Sequence, residues 1–300
     1  MAIQNSLQKS KGNQRLGITA YLTGDAVKNQ INQVVGGKNG QRFISAIVSA
    51  VNTNPTLQEC TIQSILSGAL LGESLKLSPS PQLGHYYLVP FNDKNKGKVA
   101  QFQMGYKGYI QLAIRSGQYK KINVIAVKEG ELEYFDPLNE EIKINMMIDK
   151  WDEREAAPTI GYYAMFELVN GFRKAIYWSK AQMEAHALKY SPGYKKDRRD
   201  GSNHTFWSKD FDGMAYKTML RQLISKWGIM SIDMQSAIDA DMAVINEDGS
   251  KDYVDNDDSI IDAEPPQSEE PQPEPRQEAE KKPETTQQPT DAQMALFGNK

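Results

Sequence analysis

Residues 84–117 read GHYYLVPFNDKNKGKVAQFQMGYKGYIQLAIRSG, and the change of period inside this stretch sets the fold class. Two strand-like runs, 85–91 and 98–104, flank the polar segment NDKNKG, which reads as a hairpin loop. In the second run Val99, Gln101 and Gln103 alternate with Ala100, Phe102 and Met104, so one face is apolar. From Tyr106 the spacing becomes helical. Lys107, Gln111 and Arg115 fall at i, i+4 and i+8 on one helix face, while Tyr106, Ile110, Ala113 and Ile114 turn toward the other side and pack.

N-terminal to this stretch the pattern is helical. A helix is expected over 21–33, ended by the glycine-rich 36–40. A second carries Phe43, Ile44, Ile47, Val48 and Val51 on one stripe, and Asn54-Pro55 breaks the chain. A third carries Leu57, Ile62, Ile65, Leu66, Ala69 and Leu70 and stops near Ser78-Pro79. On the C-terminal side, strands are expected at 122–128, 142–148, 160–169 and 172–178, the last two joined by Asn170-Gly171, a strong hairpin signal. A helix opens at Ser179 with Gln182 completing a capping box, residues 192–203 form a loop, and a final helix runs from about Ser208 to Trp227. Helices, then a mostly antiparallel sheet, then helices make an α+β protein.

Charge divides the chain. Of 38 acidic and 35 basic residues, 15 and 5 fall in 246–300, which leaves 23 and 30, a net of +7, in residues 1–245. The segment 246–300 is rich in Asp, Glu, Pro and Gln, too polar to offset its ordering entropy, and is expected to be disordered, with Met294, Leu296 and Phe297 as an apolar tip. Residues 1–17 form a similar arm, so the folded core is placed at 18–245. A basic body with an acidic tail suits polyanion binding with an intramolecular competitor.

Other classes are weakened. No run approaches the roughly 20 apolar residues of a membrane helix. The polar N-terminus lacks a secretory signal, so a cytoplasmic protein is expected. The single Cys60 forbids an intrachain disulfide, and three scattered histidines argue against a structural zinc site. There is no phosphate-binding loop of the Gly-x-x-x-x-Gly-Lys-Ser/Thr type, no Gly-x-Gly-x-x-Gly and no His-Glu-x-x-His. Neither a cofactor nor enzymatic chemistry is expected. One enzyme alternative stands: Asp136, Glu141 and Lys143 have the order of some metal-dependent nucleases, although Asp136-Pro137-Leu138-Asn139 reads more simply as a turn.

Cations recur among aromatics. Besides Lys107, Gln111 and Arg115, the last helix places Lys217 and Arg221 at i, i+4 with Lys226 nearby, and Arg173 and Lys174 open a strand facing opposite sides. The segment Lys195-Lys196-Asp197-Arg198-Arg199 is strongly basic, Tyr109 offers a stacking surface, and Gly105 and Gly108 would let a strand approach the backbone closely.

The segments NPTLQEC at 54–60, GHYYLVPF at 84–91, FQMGYKGY at 102–109, LAIRSG at 112–117 and DGMAYKTMLR at 212–221 together resemble the RecT family of phage and prophage annealing proteins, over about 54–232. Ala113-Ile114-Arg115 and Met214-Ala215-Tyr216-Lys217 depart from that pattern by removing charge. The resemblance implies binding of single-stranded DNA, homo-oligomeric rings or helical filaments, and ATP-independent pairing of complementary strands into an annealed duplex. It also implies a phage exonuclease and a host single-strand-binding protein as partners, no membrane, and a sheet and helix framing a basic groove. Carried onto this chain, the expected DNA-binding residues are Gln103, Tyr106, Lys107, Tyr109, Gln111, Arg115, Arg173, Lys174, Lys217, Arg221 and Lys226. A protector that binds single strands without pairing them is the other binding alternative.

Overall fold

The computed structural model describes residues 17–93 and 95–253. The expected arm, apart from Gly17, and the tail beyond Tyr253 lie outside the described residues. The chain separates into a unit over 1–266 and a second over 267–300, and every element below belongs to the first.

The fold is α+β, with helices and antiparallel sheets. Helices α1 (Ile18–Thr23), α2 (Asp25–Val35) and α3 (Gly37–Thr53) come first. The expected glycine break at 36–40 contracts to Gly36, at φ 89°, and α3 begins at once. A short 3-10 turn at Pro55–Glu59 takes up Leu57, and α4 (Ile62–Ser74) starts only at Ile62, capped by Thr61, whose side chain accepts from Ser64 N.

The expected hairpin is present. Strands β1 (Tyr86–Asp93) and β2 (Gly97–Met104) pair antiparallel with Tyr86 opposite Met104, and α5 (Tyr106–Arg115) follows directly. The buried side of α5 is Tyr109, Leu112 and Ala113; Ile114, expected to pack, is 55% exposed. Beyond it lie β3 (Tyr119–Lys128), the hairpin β4 (Leu132–Asp136) and β5 (Glu141–Ile144), α6 (Trp151–Ala156), β6 (Thr159–Leu168) and β7 (Arg173–Ser179). Strand β5 is shorter than expected, and β4 lies outside the expected strands. Asn170-Gly171 makes the β6–β7 turn: Gly171 takes φ 89° and Phe172 N donates to Asn170 Oδ1 at 3.0 Å.

Residues 161–166 of β6 are all buried because both faces of the sheet β3-β6-β7 are covered. Tyr162, Ala164 and Phe166 join the main core with the later helices. Tyr163 and Met165 meet Val127 and Tyr177, with Ile142 and Ile144 of the β4–β5 hairpin packed against them. A fully buried Glu131 accepts from Arg154 of α6 at 2.7 Å, and Arg154 also donates to Ala126 O.

The C-terminal part holds α7 (Lys180–Tyr190), α8 (Pro192–Asp200), α9 (Phe206–Lys209), α10 (Phe211–Trp227), α11 (Ile232–Ala240), β8 (Ala243–Ile245) and β9 (Lys251–Tyr253). The capping box at Ser179 is formed. The expected loop at 192–203 is mostly helix α8, started by Ser191 and Pro192 and ended by Gly201 in the left-handed region. Its basic residues hide an anchor. Asp197 is buried and accepts from Ser202 Oγ, Ser208 Oγ and the backbone N of His204 and Thr205, which holds its carboxyl down at about 2 despite burial. Asp210 caps α10, so the expected start near Ser208 belongs to the separate turn α9. Strand β8 pairs with β2, and β9 pairs with β8, so Lys251–Tyr253, read as tail from composition, form the edge of the four-stranded sheet β1-β2-β8-β9.

Candidate nucleic-acid interface

The N-terminus of α5 is pressed onto the loop before β1. A Cβ on Gly105 would stand 2.1 Å from Gly84 O, and one on Gly108 2.1 Å from His85 O. The close approach that these glycines permit is therefore made by the protein's own backbone. It seats Lys107, whose stem packs by Gly84 and whose ammonium lies 6.0 Å from the Tyr106 ring centroid.

Lys107 belongs to a cationic strip. Arg115, one exposed helical turn-pair further on, donates from Nη2 to Leu75 O at 2.6 Å and from Nη1 to Lys76 O at 3.3 Å. It thus closes the C-terminus of α4 while keeping its charge at the surface. Both Lys107 and Arg115 act electrostatically on His85, and His85, Lys76 and Arg42 line one open groove of about 560 Å³ with Ser45 and Ser78; Glu73 is its acidic member. Periodicity did not reveal Arg42, Lys76 or His85. They come from α3 and from the loop between α4 and β1, and the available signal was the placing of Lys76 and His85 on either side of Ser78-Pro79.

Burial lowers the His85 pKa, and then Arg115 and Lys107 lower it further; Nδ1 accepts from Ser78 N at 3.3 Å. The neutral ring therefore carries its proton on Nε2. His186, between Trp178 and Tyr190 in a ring stack, is lowered by burial, then Arg221 and Lys189. Both folded values lie below the ordinary 6.5, so the unfolded chain takes up protons first as pH falls. Thermal stability is therefore expected to decline as pH drops from 7 through 6.5 toward the folded values, and His85→Gln with His186→Gln should flatten that decline. A Tm unchanged down to pH 5.5 in the unsubstituted protein would contradict it.

The other expected residues separate into two groups. Gln111 is exposed on α5 beside Lys107. Lys174 and Lys226 meet over the half-exposed Trp227 ring, at 4.4 and 5.6 Å, with Lys174 also paired to Glu140. Arg173 is exposed and Arg221 half-buried. Gln103, Tyr109 and Lys217 instead lie in the interior. Tyr109, fully buried, donates its hydroxyl to Asp241 Oδ2 at 3.0 Å, so in this fold its ring packs against protein. Lys217 is 6% exposed and pairs with Asp241 Oδ1 at 2.8 Å, an oxygen that also accepts Met104 N at 2.9 Å. Gln103 donates to Gln101 Oε1 at 2.7 Å.

Two of these inner groups, Gln103 and Lys217, line a second, mostly apolar pocket of about 240 Å³ together with Tyr87, Tyr106, Phe206, Met214 and Asp210. Tyr87 and Phe206 meet at 5.8 Å, and Tyr106 is braced edge-on by Tyr216 at 5.5 Å.

Asp136, Glu141 and Lys143 serve the β4–β5 hairpin. Asp136 accepts from Leu138 N at 2.8 Å and Asn139 Nδ2 at 2.6 Å, which holds its carboxyl below the ordinary value, and Lys143 pairs with Glu133 at 2.6 Å. Among the described residues no group of three or more His, Cys, Asp or Glu is placed to hold a metal ion, and no helix is long and apolar enough to cross a membrane.

The family model for the RecT family matches residues 41–259. The chain is 40% identical over 279 residues to "Uncharacterized protein YqaK" of Bacillus subtilis (strain 168), covering 90% of this chain and 89% of that protein. It is 28% identical over 246 residues to "Protein RecT" of Escherichia coli (strain K12), covering 78% and 86%.

Proposed function

Because the chain belongs to the RecT family, whose work is single-strand DNA annealing in recombination, we propose that it binds single-stranded DNA along the cationic strip and pairs it with its complement without ATP. The observation that carries this reading is the convergence of Arg42 of α3, Lys76 and His85 of the loop between α4 and β1, and Lys107 and Arg115 of α5 on one side of the fold. Lysines and arginines there neutralise successive phosphates and release counterions, which makes binding steeply salt-dependent. The Nε2–H of neutral His85 and the hydroxyls of Ser45 and Ser78 add donors to the same groove. Watson–Crick pairing supplies specificity and driving force, so no bond is broken and no general acid or base is required.

The finer reading extends this. Several protomers, as a ring or helical filament in the cytoplasm, present their strips in series and hold one strand extended as a template. A phage exonuclease generates that strand, and a host single-strand-binding protein hands it over. Lys174, Lys226 and Trp227 form a second cationic and aromatic patch that suits the incoming strand or the annealed duplex. The folded core extends through β9, and the acidic residues beyond it act as the polyanionic competitor.

The test is annealing of two labelled complementary oligonucleotides with no nucleotide present. Intact duplex formed many-fold faster with protein is the expected result. Binding without faster pairing would replace annealing by strand protection, and shortened oligonucleotides in Mg²⁺ would bring back nuclease chemistry.

A further inference from the structure

The 240 Å³ aromatic pocket is not used by the phosphate strip, yet it adjoins it at one residue pair. Lys107 stands over the outer ring of Tyr106, and Tyr106 lines the pocket. We propose that this pocket receives one nucleobase per protomer from the strand whose phosphate Lys107 holds. The inference rests on the single-strand-binding reading and adds to it a site for a nucleobase of any kind.

Three physical features select a base. The volume falls below the roughly 300–1,000 Å³ of pockets that take drug-sized ligands, so it suits a single ring system. The walls are the π-faces and edges of Tyr87, Tyr106 and Phe206, which favour a flat heterocycle of any sequence. The charge excludes the backbone. The Asp210 carboxylate lies near enough to both tyrosines to add to the burial that raises their phenol pKa values, while the lining cation, Lys217, is already neutralised by Asp241. A phosphate would meet repulsion there and stays outside, on Lys107. A planar base enters without that cost, and thymine N3–H or the exocyclic amino group of the other bases can donate to Asp210.

A base held this way gives binding a part that salt does not screen. It also fixes where the strand lies on each protomer, because phosphates alone permit sliding.

The experiment compares the full chain's affinity for an oligothymidylate with that for an abasic phosphodiester of equal length. It is done at low and moderate salt, for the unsubstituted protein and for Tyr87→Leu with Phe206→Leu. The expected preference for the base-bearing strand is roughly five- to a hundredfold, persisting as salt rises. The substituted protein should retain no more than about a fifth of that preference. Equal affinity for both strands in the unsubstituted protein, or a preference surviving the substitution, overturns the pocket while leaving phosphate binding intact. Failure of the unsubstituted protein to bind either strand overturns the single-strand reading itself. Should the substituted protein fail to fold, photocrosslinking of the unsubstituted protein to 5-iodouracil-bearing DNA decides. Adducts mapped to Tyr87, Tyr106 or Phe206 support the site; adducts confined elsewhere, or none, overturn it.

Discussion

Lys217→Met is expected to cost about 3–5 kcal/mol of folding stability, since it removes one partner of a buried ion pair and leaves the other. That is a large share of the roughly 5–15 kcal/mol that holds a typical domain together. The Asp241 side chain has no exposed surface, that of Lys217 has 8%, and the carboxylate accepts from Lys217, Met104 N and Tyr109. With methionine at 217 the carboxylate retains two neutral donors and must stay charged in an apolar site or take up a proton. Asp241→Asn in the same background should recover part of the loss, because the uncompensated charge goes, the amide oxygen still accepts from Met104 N, and the Tyr109 hydroxyl can turn to accept from the amide nitrogen. Urea unfolding of the two single variants and the double gives the coupling directly. A cost for Lys217→Met within the ±0.5 kcal/mol usual at surfaces would place the ammonium in solvent and refute the buried pair.

The largest effect on binding is expected from Arg42→Ala, Lys76→Gly and Lys107→Ala together. All three side chains are exposed. Lys76 has φ 52°, a left-handed conformation in which glycine removes charge without backbone strain. Arg115 is left in place, since its guanidinium also holds the Leu75 and Lys76 carbonyls just past α4 and its loss would mix folding with binding. At about 1 kcal/mol per phosphate contact, three losses weaken single-strand affinity by roughly a hundredfold at low salt. The slope of log affinity against log salt should fall by about 2, from the roughly 0.7 per contact of single strands. A triple variant with unchanged slope would move the DNA path off this strip. A slope change without the affinity loss would mean that other contacts dominate.

What the sequence made legible follows from what local chemistry encodes. The hairpin ending at Met104, the switch of period at Tyr106, the Asn170-Gly171 turn and the Ser179 capping box each depend on residues within a few positions, and each is found in the structure. Helix α8 escaped because PGYKKDRRD has too few apolar residues to show a period. Its hold comes from Tyr194 and Asp197 facing inward to partners that include residues up to 208. The site was half legible for the same reason. Helical spacing correctly aligned Lys107, Gln111 and Arg115 on an exposed face. It could not distinguish the solvated Lys107 from the buried Lys217, because the residue that decides, Asp241, is 24 positions beyond Lys217 and 132 beyond Tyr109. The groove residues Arg42, Lys76 and His85 share no local pattern, and only the fold assembles them.

The position of Asp241 also orders events on the ribosome. Tyr109 and Lys217 are synthesised before the carboxylate that accepts from both, and β2 waits for Ala243 to supply its partner opposite Phe102. A nascent chain paused near residue 240 therefore carries an ammonium and a phenol whose buried acceptor does not yet exist, beside an open strand edge of the kind that recruits foreign strands. The contacts of Asp241 with Tyr109 and Lys217, and the pairing of β2 with β8, form only after α11 and β8 have left the exit tunnel. Self-association through the β2 edge is thus a hazard of interrupted translation, and pairing with β8 covers that edge.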